Sequence, residues 1–298
     1  MTPPPSALAV VGSINQDVTL NVPEFPAPGQ TLLARGAARA IGGKGANQAL
    51  AAAMAGAQVG MLGCVGEDAG GKDALALFAA HGINAAGVLI SPEAATGSAY
   101  ICVRDDGENF IIVEPGANAL VSPDRFSEQD FSPYDWVLMN LEIPLSTARR
   151  VADVAQKAGC RVALNASPLG QELPSLEHVD LVLVNEGEAA QLAGEQWHEA
   201  ANLAETLQVE TVVVTCASRG ALLDSVGAPR ITAETPAVSV RDTTGCGDAF
   251  AGVLLSGLCA GADLTDSLRQ ATRWAAHVAE FYGAAASYTA AFHRARQL

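Results

Sequence analysis

The chain has 298 residues, of which 49% are hydrophobic, and this is enough apolar material for a large buried core. Its formal net charge is -15. Broad binding of nucleic acid requires a basic face, so the composition disfavours that class of protein. An acidic protein can still bind a small polyanion where backbone N–H groups and a few cations converge.

The six cysteines are scattered, mostly in apolar runs, and no two form a Cys-x-x-Cys pair. This pattern predicts reduced core cysteines of a cytosolic protein and not a structural zinc site. The N-terminus lacks the positive region of a signal peptide, and no apolar run of about 20 residues is available to span a membrane. We therefore expect a cytoplasmic protein with no membrane partner and no nucleic-acid partner.

The first part of the chain contains two β-like stretches around a helical region. Residues 7–11 form an apolar run that ends at a glycine and predict a buried strand. Residues 13–41 alternate loosely and contain several prolines, which is typical of strands exposed on one side. The next predicted elements are a helix over residues 47–55, a strand over 59–65, a helix over 72–81 that ends at Gly82, and a hairpin over 98–113 with its turn at 105–107.

After residue 135, short apolar runs alternate with helical segments. The runs lie at residues 136–141, 161–164, 181–184 and 211–215. Such alternation predicts a mostly parallel sheet with helices on both faces. We expect one α/β domain made of residues 1–12, 42–95 and 118–298, with a small β lid made of residues 13–41 and 96–117.

Residues 66–72 match the Gly-x-x-x-x-Gly-Lys half of a phosphate-binding P-loop. The next residue is Asp73, where a P-loop carries the Ser or Thr hydroxyl that binds magnesium. We therefore interpret this segment as a turn that starts a helix.

The segment with the clearest chemistry is Asp242-Thr243-Thr244-Gly245-Cys246-Gly247-Asp248. Its small residues allow close approach of a ligand to the backbone, and an apolar run that predicts a buried helix follows at 249–255. Free N–H groups at a helix N-terminus form an anion site, and the helix dipole favours the ionised form of Asp248. A base beside an anion hole suits phosphoryl transfer to a hydroxyl. A Gly-rich turn with a helix cap explains the same residues equally well.

Two further polar segments follow predicted strands. Residues 42–48, Gly-Gly-Lys-Gly-Ala-Asn-Gln, combine backbone N–H groups with Lys44 and Asn47, which are donors suited to sugar hydroxyls. Residues 12–17, Gly-Ser-Ile-Asn-Gln-Asp, lie where ligands bind in open α/β sheets, and Asp17 could accept hydrogen bonds from a diol. Helix packing for the first segment and a simple turn for the second remain alternatives.

In their order, these three segments resemble the ribokinase branch of the phosphofructokinase B sugar kinases. The similarity runs nearly end to end, because residues 115–119, 141–144, 163–165, 185–188 and 218–220 also match. It implies a three-layer α/β/α fold with a mostly parallel central sheet and a small β-sheet lid. It also implies transfer of the ATP γ-phosphate to the primary hydroxyl of ribose or a similar pentose, with the lid excluding water.

The resemblance also implies roles for individual residues. Asp248 would be the base that activates the sugar hydroxyl, with Gly245, Cys246 and Gly247 as the anion hole. The residues that match the sugar-binding set are Asn15, Asp17, Gly43, Lys44, Asn47 and Glu142. The residues that match the ATP-binding set are Asn185, Thr215, Ala217, Ser218, Arg219, Gly220 and Gly247.

The same resemblance implies two ions and a partner. Glu188 completes an Asn-x-x-Glu motif that is associated with magnesium and phosphate. Members of the family hold a monovalent cation, usually potassium, next to the anion hole. Its ligands map onto the Asp242 carboxylate, the carbonyls of Thr244, Val278, Phe281 and Gly283, and the Ser287 hydroxyl, an oxygen set that suits a hard cation. A homodimer through the lid is expected, because family members often pair there.

Three departures from the family pattern are visible. Ala217 stands where a glycine is usual, so a methyl group lies where the backbone often approaches the nucleotide. Cys246 stands where alanine is common, and a thiol at a helix N-terminus can have a lowered pKa, which would expose it to oxidation. The loop at residues 283–287 lacks the glutamine that often precedes its serine.

Two other functions remain open at this stage. A nucleoside kinase on the same fold would need an apolar slot for the base, which lid residues such as Ile112 could build. A non-catalytic regulator that binds sugar is the alternative from another class, and the presence of Asp248, Lys44 and Asn185 argues against it.

Overall fold

Two β-sheets organise the chain in the computed structural model, which describes residues 7–106, 108–172, 174–194 and 202–296. The strands are β1 (Ala7–Val11), β2 (Asn15–Val22), β3 (Gly36–Gly42), β4 (Gln58–Gly66), β5 (Asn84–Ser91), β6 (Gly97–Arg104), β7 (Asn109–Glu114), β8 (Trp136–Asn140), β9 (Arg161–Asn165), β10 (Leu181–Asn185), β11 (Thr211–Thr215), β12 (Ala221–Ser225) and β13 (Ile231–Ala233). The helices are α1 (Lys44–Ala55), α2 (Ala69–Ala80), α3 (Glu128–Phe131), α4 (Leu145–Lys157), α5 (Glu186–Ala193), α6 (Leu203–Leu207), α7 (Cys246–Cys259), α8 (Leu264–Val278) and α9 (Ala285–Ala295).

The large sheet has the strand order β13-β12-β11-β10-β9-β8-β1-β4-β5 within the described residues. Its neighbours from β11 to β5 pair in parallel, and β12 and β13 are added antiparallel at one edge. The expectation of a mostly parallel central sheet is confirmed. The carboxyl ends of the parallel strands therefore share one edge, where ligands bind in open α/β sheets.

Each face of the large sheet carries its own hydrophobic core. Side chains alternate along a strand, so Leu8 and Val10 of β1 join a core with α1, α7, α8 and α9, whereas Ala9 and Val11 join a core with α4 on the other face. All four side chains are completely buried. This arrangement is the three-layer α/β/α architecture. In the described part of the chain, no helix combines the length and hydropathy needed to cross a membrane.

The small sheet has the order β3-β2-β6-β7. Strands β6 and β7 pair antiparallel, as the hairpin pattern predicts, while Gly107 of the expected turn lies outside the described residues. The predicted domain containing residues 1–12 likewise includes residues 1–6, which are not described. Strands β2 and β3 fall within or next to the predicted lid segment 13–41, and β6 and β7 lie within 96–117.

Three helices begin earlier than the apolar periodicity indicates. Helix α1 begins at Lys44 and not at residue 47, and α7 begins at Cys246 and not just after Gly247, with Asp248 in its first turn as expected. Each follows a glycine at positive φ, 85° at Gly43 and 77° at Gly245, so the first turn contains small or polar residues without hydrophobic periodicity. Helix α2 begins at Ala69 because the Asp68 side chain caps it by accepting from the Gly71 N–H at 2.8 Å. The segment that resembles half a P-loop is therefore a helix cap.

Helices α1 and α7 pack closely enough to bring two motifs together. A Cβ atom on Gly252 of α7 would lie 2.5 Å from the Gln48 carbonyl oxygen of α1, so a larger residue would separate the helices. The contact places the side chains of Asn47 and Gln48 beside Asp248. The fold thus joins two motifs that lie about 200 residues apart in sequence.

Candidate functional site

The predicted site residues gather at the carboxyl edge of the large sheet. Ser13 follows β1, Glu142 follows β8, and Asn185 and Thr215 end the neighbouring strands β10 and β11, where they pair directly in the ladder. Motifs from distant parts of the sequence therefore face one cleft, as the topology of a parallel sheet requires.

Asp248 lies in the first turn of α7 and is only 7% exposed. Its Oδ2 accepts from Asn47 Nδ2 at 3.0 Å, and its Oδ1 accepts from Gln48 Nε2 at 3.0 Å. Burial raises the pKa of Asp248, and the charge of Lys44 and the hydrogen bond from Asn47 oppose this rise. The helix dipole, which favours the ionised form, thus acts on a carboxylate that is far more buried than a first-turn residue at a surface.

The N-terminus of α7 presents free backbone donors. Gly247 is exposed, and a Cβ atom there would meet nothing within 4 Å, so the space in front of it is open. In the described part of the chain, the N–H groups of Gly247 and Asp248 have no acceptor, as expected for a first helical turn. Tyr288 supports this turn, because its hydroxyl donates to the Gly245 carbonyl at 2.9 Å. Free N–H donors at a helix N-terminus are suited to binding an anion.

Cys246 does not have the reactive thiol that a helix N-terminus could produce. Burial, together with the nearby carboxylates of Asp242 and Asp248, raises the pKa of Cys246 to about 12. A thiol with this pKa stays protonated at neutral pH and reacts slowly with oxidants. The burial of Cys246 therefore favours the role of a small residue in the turn over that of a reactive thiol.

Lys44 and Glu142 form the side of the cleft opposite the helix. The Glu142 carboxylate accepts from the Lys44 backbone N–H at 3.0 Å and from the Ser13 hydroxyl. Burial alone lowers the pKa of Lys44, but the carboxylates of Asp248, Glu142 and Glu188 outweigh it, and the net pKa is raised. Lys44 therefore carries its positive charge at neutral pH, close to Asp248.

Asp17 and Asn47 each have a buried side-chain oxygen without a partner in the described part of the chain. The Oδ1 atoms of both are buried without a hydrogen-bond partner among the described residues. Burial raises the pKa of Asp17 to about 7, and the charges of Glu142 and Asp248 contribute to the rise. Gly42 faces the Asp17 carboxylate with no room for a Cβ atom, and Gly43 lies against the backbone N of Asn15. Orphaned polar atoms of this kind mark positions where a ligand or water completes the hydrogen bonding.

The predicted nucleotide residues lie at the ends of β10 and β11. Asn185 and Glu188 form a capping box at the start of α5, in which Asn185 Oδ1 accepts from the Glu188 N–H at 2.9 Å. Glu188 in turn accepts from the Asn185 N–H at 2.8 Å. The Thr215 hydroxyl donates to the Val184 carbonyl at 3.4 Å. Each of these side chains therefore has a local structural partner.

The turn after Thr215 is strained at the residue that departs from the family pattern. Ala217 has φ 49°, in the left-handed region that favours glycine. Ser218 and Arg219 are exposed in the same turn, and Arg219 forms an ion pair with Glu186. Gly220 has φ 97°, and a Cβ atom there would overlap the Ala233 carbonyl oxygen. The turn keeps a glycine-like backbone at 217 although the residue is alanine.

Asp242 accepts hydrogen bonds from two other residues of the predicted cation site. Its Oδ1 accepts from the N–H and hydroxyl of Thr244 at 2.9 and 2.6 Å, and its Oδ2 accepts from the Gly283 N–H at 2.8 Å. The other predicted ligands are arranged around the same loop: the Val278 carbonyl accepts from the Phe281 N–H at 3.1 Å, and the Ser287 hydroxyl donates to the Ala284 carbonyl at 2.7 Å. The donor set is all oxygen, which fits a monovalent cation. Among the described residues, no three His, Cys, Asp or Glu side chains cluster as a metal site.

Four residues of the site were missed from sequence. Gln48 directly follows Asn47 in the glycine-rich motif, so its position in that motif could have indicated it as a site residue. Ser13 lies in the motif at 12–17 and offered the same signal. Asn118 lies in the matching segment 115–119, but its role and that of Tyr288 depend on contacts with residues over 40 positions away, which the local sequence does not show.

This combination of an α/β/α fold, an anion pocket and a buried carboxylate defines a class of phosphotransferase. The sequence pattern of the pfkB family carbohydrate kinases matches residues 6–291. The chain therefore belongs to the pfkB family of carbohydrate kinases, and the family expected from its motifs is confirmed.

Individual relatives agree with this assignment. The chain is 37% identical over 273 residues to a ribokinase of Haemophilus influenzae, with 88% of each protein covered. It is 30% identical over 296 residues to a deoxyribokinase of Salmonella typhi, with 94% of this chain and 95% of that protein covered. The structure of Arabidopsis thaliana ribokinase complexed with ribose and ATP superposes with a TM-score of 0.88 at 30% identity, covering 98% of this chain and 99% of that one.

Proposed function

We propose that the protein transfers the γ-phosphate of ATP to the primary hydroxyl of a pentose, with D-ribose as the substrate and ribose 5-phosphate as the product. The observation that carries the proposal is Asp248, a buried carboxylate of raised pKa that lies directly beside the free N–H groups of α7. The similarity to ribokinases over 88% of the chain supports ribose as the acceptor.

In the proposed reaction, the Asp248 carboxylate takes the proton from the primary hydroxyl as the hydroxyl oxygen attacks the γ-phosphorus. The bond from that phosphorus to the bridging oxygen of ADP breaks, and ADP leaves with the electron pair. The N–H groups of Gly245 and Gly247 would hold the charge on the transferred group, whereas the Cys246 N–H of the expected anion hole already donates to the Thr243 carbonyl at 3.2 Å. A pKa raised by burial brings the base closer to neutral pH, where a general base works best.

The sugar side of the cleft consists of Asn15, Asp17, Gly43, Lys44, Asn47 and Glu142. The orphaned oxygens of Asp17 and Asn47 would accept hydrogen bonds from sugar hydroxyls, which supports a polyol ligand. Lys44 offers a charged donor beside the reacting oxygens, and Glu142 fixes the start of α1 through the Lys44 N–H. The small sheet would act as a lid that excludes water, the competing acceptor.

The nucleotide side of the cleft consists of Asn185, Glu188 and residues 215–220, together with Gly247. The turn at 217–219 is exposed, and Asn185 at the cap of α5 is exposed as well, so both would be accessible to ATP. Mg²⁺ would arrive with the ATP phosphates, with Glu188 acting on it indirectly, and would neutralise phosphate charge when bound. Asp242, the loop carbonyls and Ser287 would hold K⁺ next to α7.

A homodimer through the lid is part of the proposal. Every residue of β7 is exposed, and this edge strand carries Phe110, Ile111, Ile112 and Val113. An exposed apolar edge strand invites pairing with a second copy. Light scattering would test this, because Ile112→Lys should convert a dimer to a monomer, and an unchanged mass would contradict the lid interface.

The free state of all six cysteines supports the cytoplasm as the compartment.

An ADP-release assay across sugars and nucleosides tests the function. D-ribose should give the highest kcat/KM, and 2-deoxy-D-ribose is the informative competitor because a deoxyribokinase is among the relatives. Turnover of adenosine or inosine without turnover of ribose would favour the nucleoside kinase. If calorimetry detects sugar binding while no sugar stimulates ADP release with Mg²⁺ and K⁺ present, the protein is a sugar-binding regulator.

A further inference from the structure

Asn118 lies outside all the motifs that carry the chemistry, yet it touches the sugar side of the cleft. It is 2% exposed and sits in the short helical turn Gly116–Leu120, after the last strand of the small sheet. Its side chain makes three hydrogen bonds to the start of β2. Its Oδ1 accepts from the Ile14 N–H at 2.8 Å, and its Nδ2 donates to the Ile14 carbonyl at 3.2 Å and to Asn15 Oδ1 at 2.7 Å.

These contacts fix the orientation of two carboxamides. A backbone N–H can only donate, so the Asn118 atom that faces the Ile14 N–H must be the oxygen. The NH₂ group of Asn118 then faces Asn15 and needs an acceptor there. Asn15 must therefore turn its own oxygen towards Asn118, which leaves its NH₂ group on the opposite side.

The NH₂ group of Asn15 is available to a ligand. Within the described residues, Asn15 Nδ2 makes no hydrogen bond, and it is not among the atoms buried without a partner. Asn15 and Asp17 lie two residues apart on β2, so their side chains share one face of the strand. Asp17 is close enough to Glu142 and Asp248 to feel their charges, which places this face on the cleft.

Asn47 has the opposite polarity. Its NH₂ group donates to the Asp248 carboxylate, so its oxygen is the end left for a ligand, and that oxygen has no partner. The pocket therefore combines one carboxamide held as a donor with another held as an acceptor. Two carboxamides that could turn over freely would not distinguish donors from acceptors on the sugar.

We propose that Asn118 is a positioning residue that holds Asn15 as a hydrogen-bond donor to one sugar hydroxyl, and so helps to set the hydroxyl pattern that the enzyme accepts. This inference rests on the proposed function. Gly97 protects the arrangement, because a Cβ atom there would overlap both Asn118 Nδ2 and Asn15 Oδ1. The small sheet thus has a glycine, without a side chain, next to the hydrogen bond that orients Asn15.

Asn118→Asp tests the proposal with little change in size. The new carboxylate keeps an acceptor for the Ile14 N–H but places an oxygen where the NH₂ group met Asn15. Asn15 then turns over and presents its oxygen to the sugar. We expect KM for D-ribose to rise about tenfold, while kcat and KM for ATP stay within about threefold. Asn21→Asp is the matched control, since it adds the same charge to an exposed position at the far end of β2.

A double-mutant cycle separates positioning from a general structural role. If Asn118 acts through Asn15, then Asn118→Asp should change KM for ribose by less than about twofold in an Asn15→Ala background. Effects that add fully, or an Asn118→Asp variant with wild-type KM, would overturn the inference. Absence of sugar turnover in the wild-type enzyme would instead refute the proposed function itself.

A measurement on the wild-type enzyme covers the case in which Asn118→Asp fails to fold. Fluorine can accept a hydrogen bond but cannot donate one, so deoxyfluoro and deoxy analogues of ribose report the polarity of each contact. At one secondary hydroxyl, fluorine should be tolerated better than hydrogen, and Asn15→Ala should remove that difference. If fluorine and hydrogen are equally harmful at every hydroxyl, Asn15 is not held as a donor.

Discussion

On the proposed sugar side, buried side chains hold one another through hydrogen bonds, whereas on the proposed nucleotide side the exposed residues Asn185 and Arg219 bond to residues at the start of α5. Asn47 and Asn15 are at most 5% exposed, and their partners Asp248 and Asn118 are equally enclosed. Asn185 is exposed, and its side chain caps α5. The sugar side is therefore organised before any ligand binds, and the nucleotide side acquires its contacts with the nucleotide.

The largest effect is expected at Asp248, where the two sides meet. Asp248→Asn keeps the shape and one acceptor oxygen but cannot take a proton. We predict that kcat falls about 10²–10⁴-fold while the Kd for ribose changes little. Stopped assays and calorimetry would measure the two quantities. The exposed Asp73→Asn serves as control, and a kcat near the wild-type value would refute the assigned role.

The pH dependence of sugar use should report Asp17. Its pKa of about 7 means that the carboxylate gains a proton as the pH falls through neutrality and then loses its ability to accept from a sugar hydroxyl. We predict that kcat/KM for ribose falls below pH 7, approaching about tenfold per pH unit. Asp17→Asn should have a lower kcat/KM without this inflection. A variant that keeps the inflection would assign it to another group.

A smaller effect is expected from the monovalent cation. Replacing K⁺ by tetramethylammonium at constant ionic strength should lower kcat about tenfold, which corresponds to ~1.4 kcal/mol. Asp242→Ala removes the carboxylate that ties Thr244 to Gly283, so this variant should no longer respond to K⁺. Equal rates of the wild-type enzyme in both salts would remove the proposed cation site.

The smallest effect should come from the nucleotide side. Ala217→Gly removes left-handed strain but adds backbone entropy to the unfolded chain, for a net stabilisation of about 0.5–1 kcal/mol. KM for ATP should fall by about twofold to threefold, because the backbone can approach the nucleotide. Thermal unfolding and ATP titration would measure both. A rise in KM for ATP would show that the methyl group contacts the nucleotide favourably.

The sequence predicted the large sheet well and the helix starts poorly, for a physical reason. Parallel strands are buried on both faces, so β1 and β8 appear as apolar runs with little ambiguity. The first turns of α1 and α7 are made of small and polar residues, and such residues carry no hydrophobic period. The positions of least helical character in the sequence are therefore the ones that lie in the candidate site.

The same reasoning explains which site residues were found. Asp248 and Lys44 lie in short motifs whose spacing is local. Asn118 and Tyr288 act through tertiary contacts, and only the fold reveals them. The direction of the pKa shift of Cys246 could not be predicted from the sequence either, because it depends on burial and on two carboxylates that the fold brings near.

The identity of the product tests the central claim most directly. Wild-type enzyme would be incubated with D-ribose, ATP, Mg²⁺ and K⁺, and the product examined by phosphorus–proton correlation NMR. We expect a single phosphate ester on the primary hydroxyl, formed in equal amount to ADP. An ester on a secondary hydroxyl, or ADP release without any sugar ester, would contradict it.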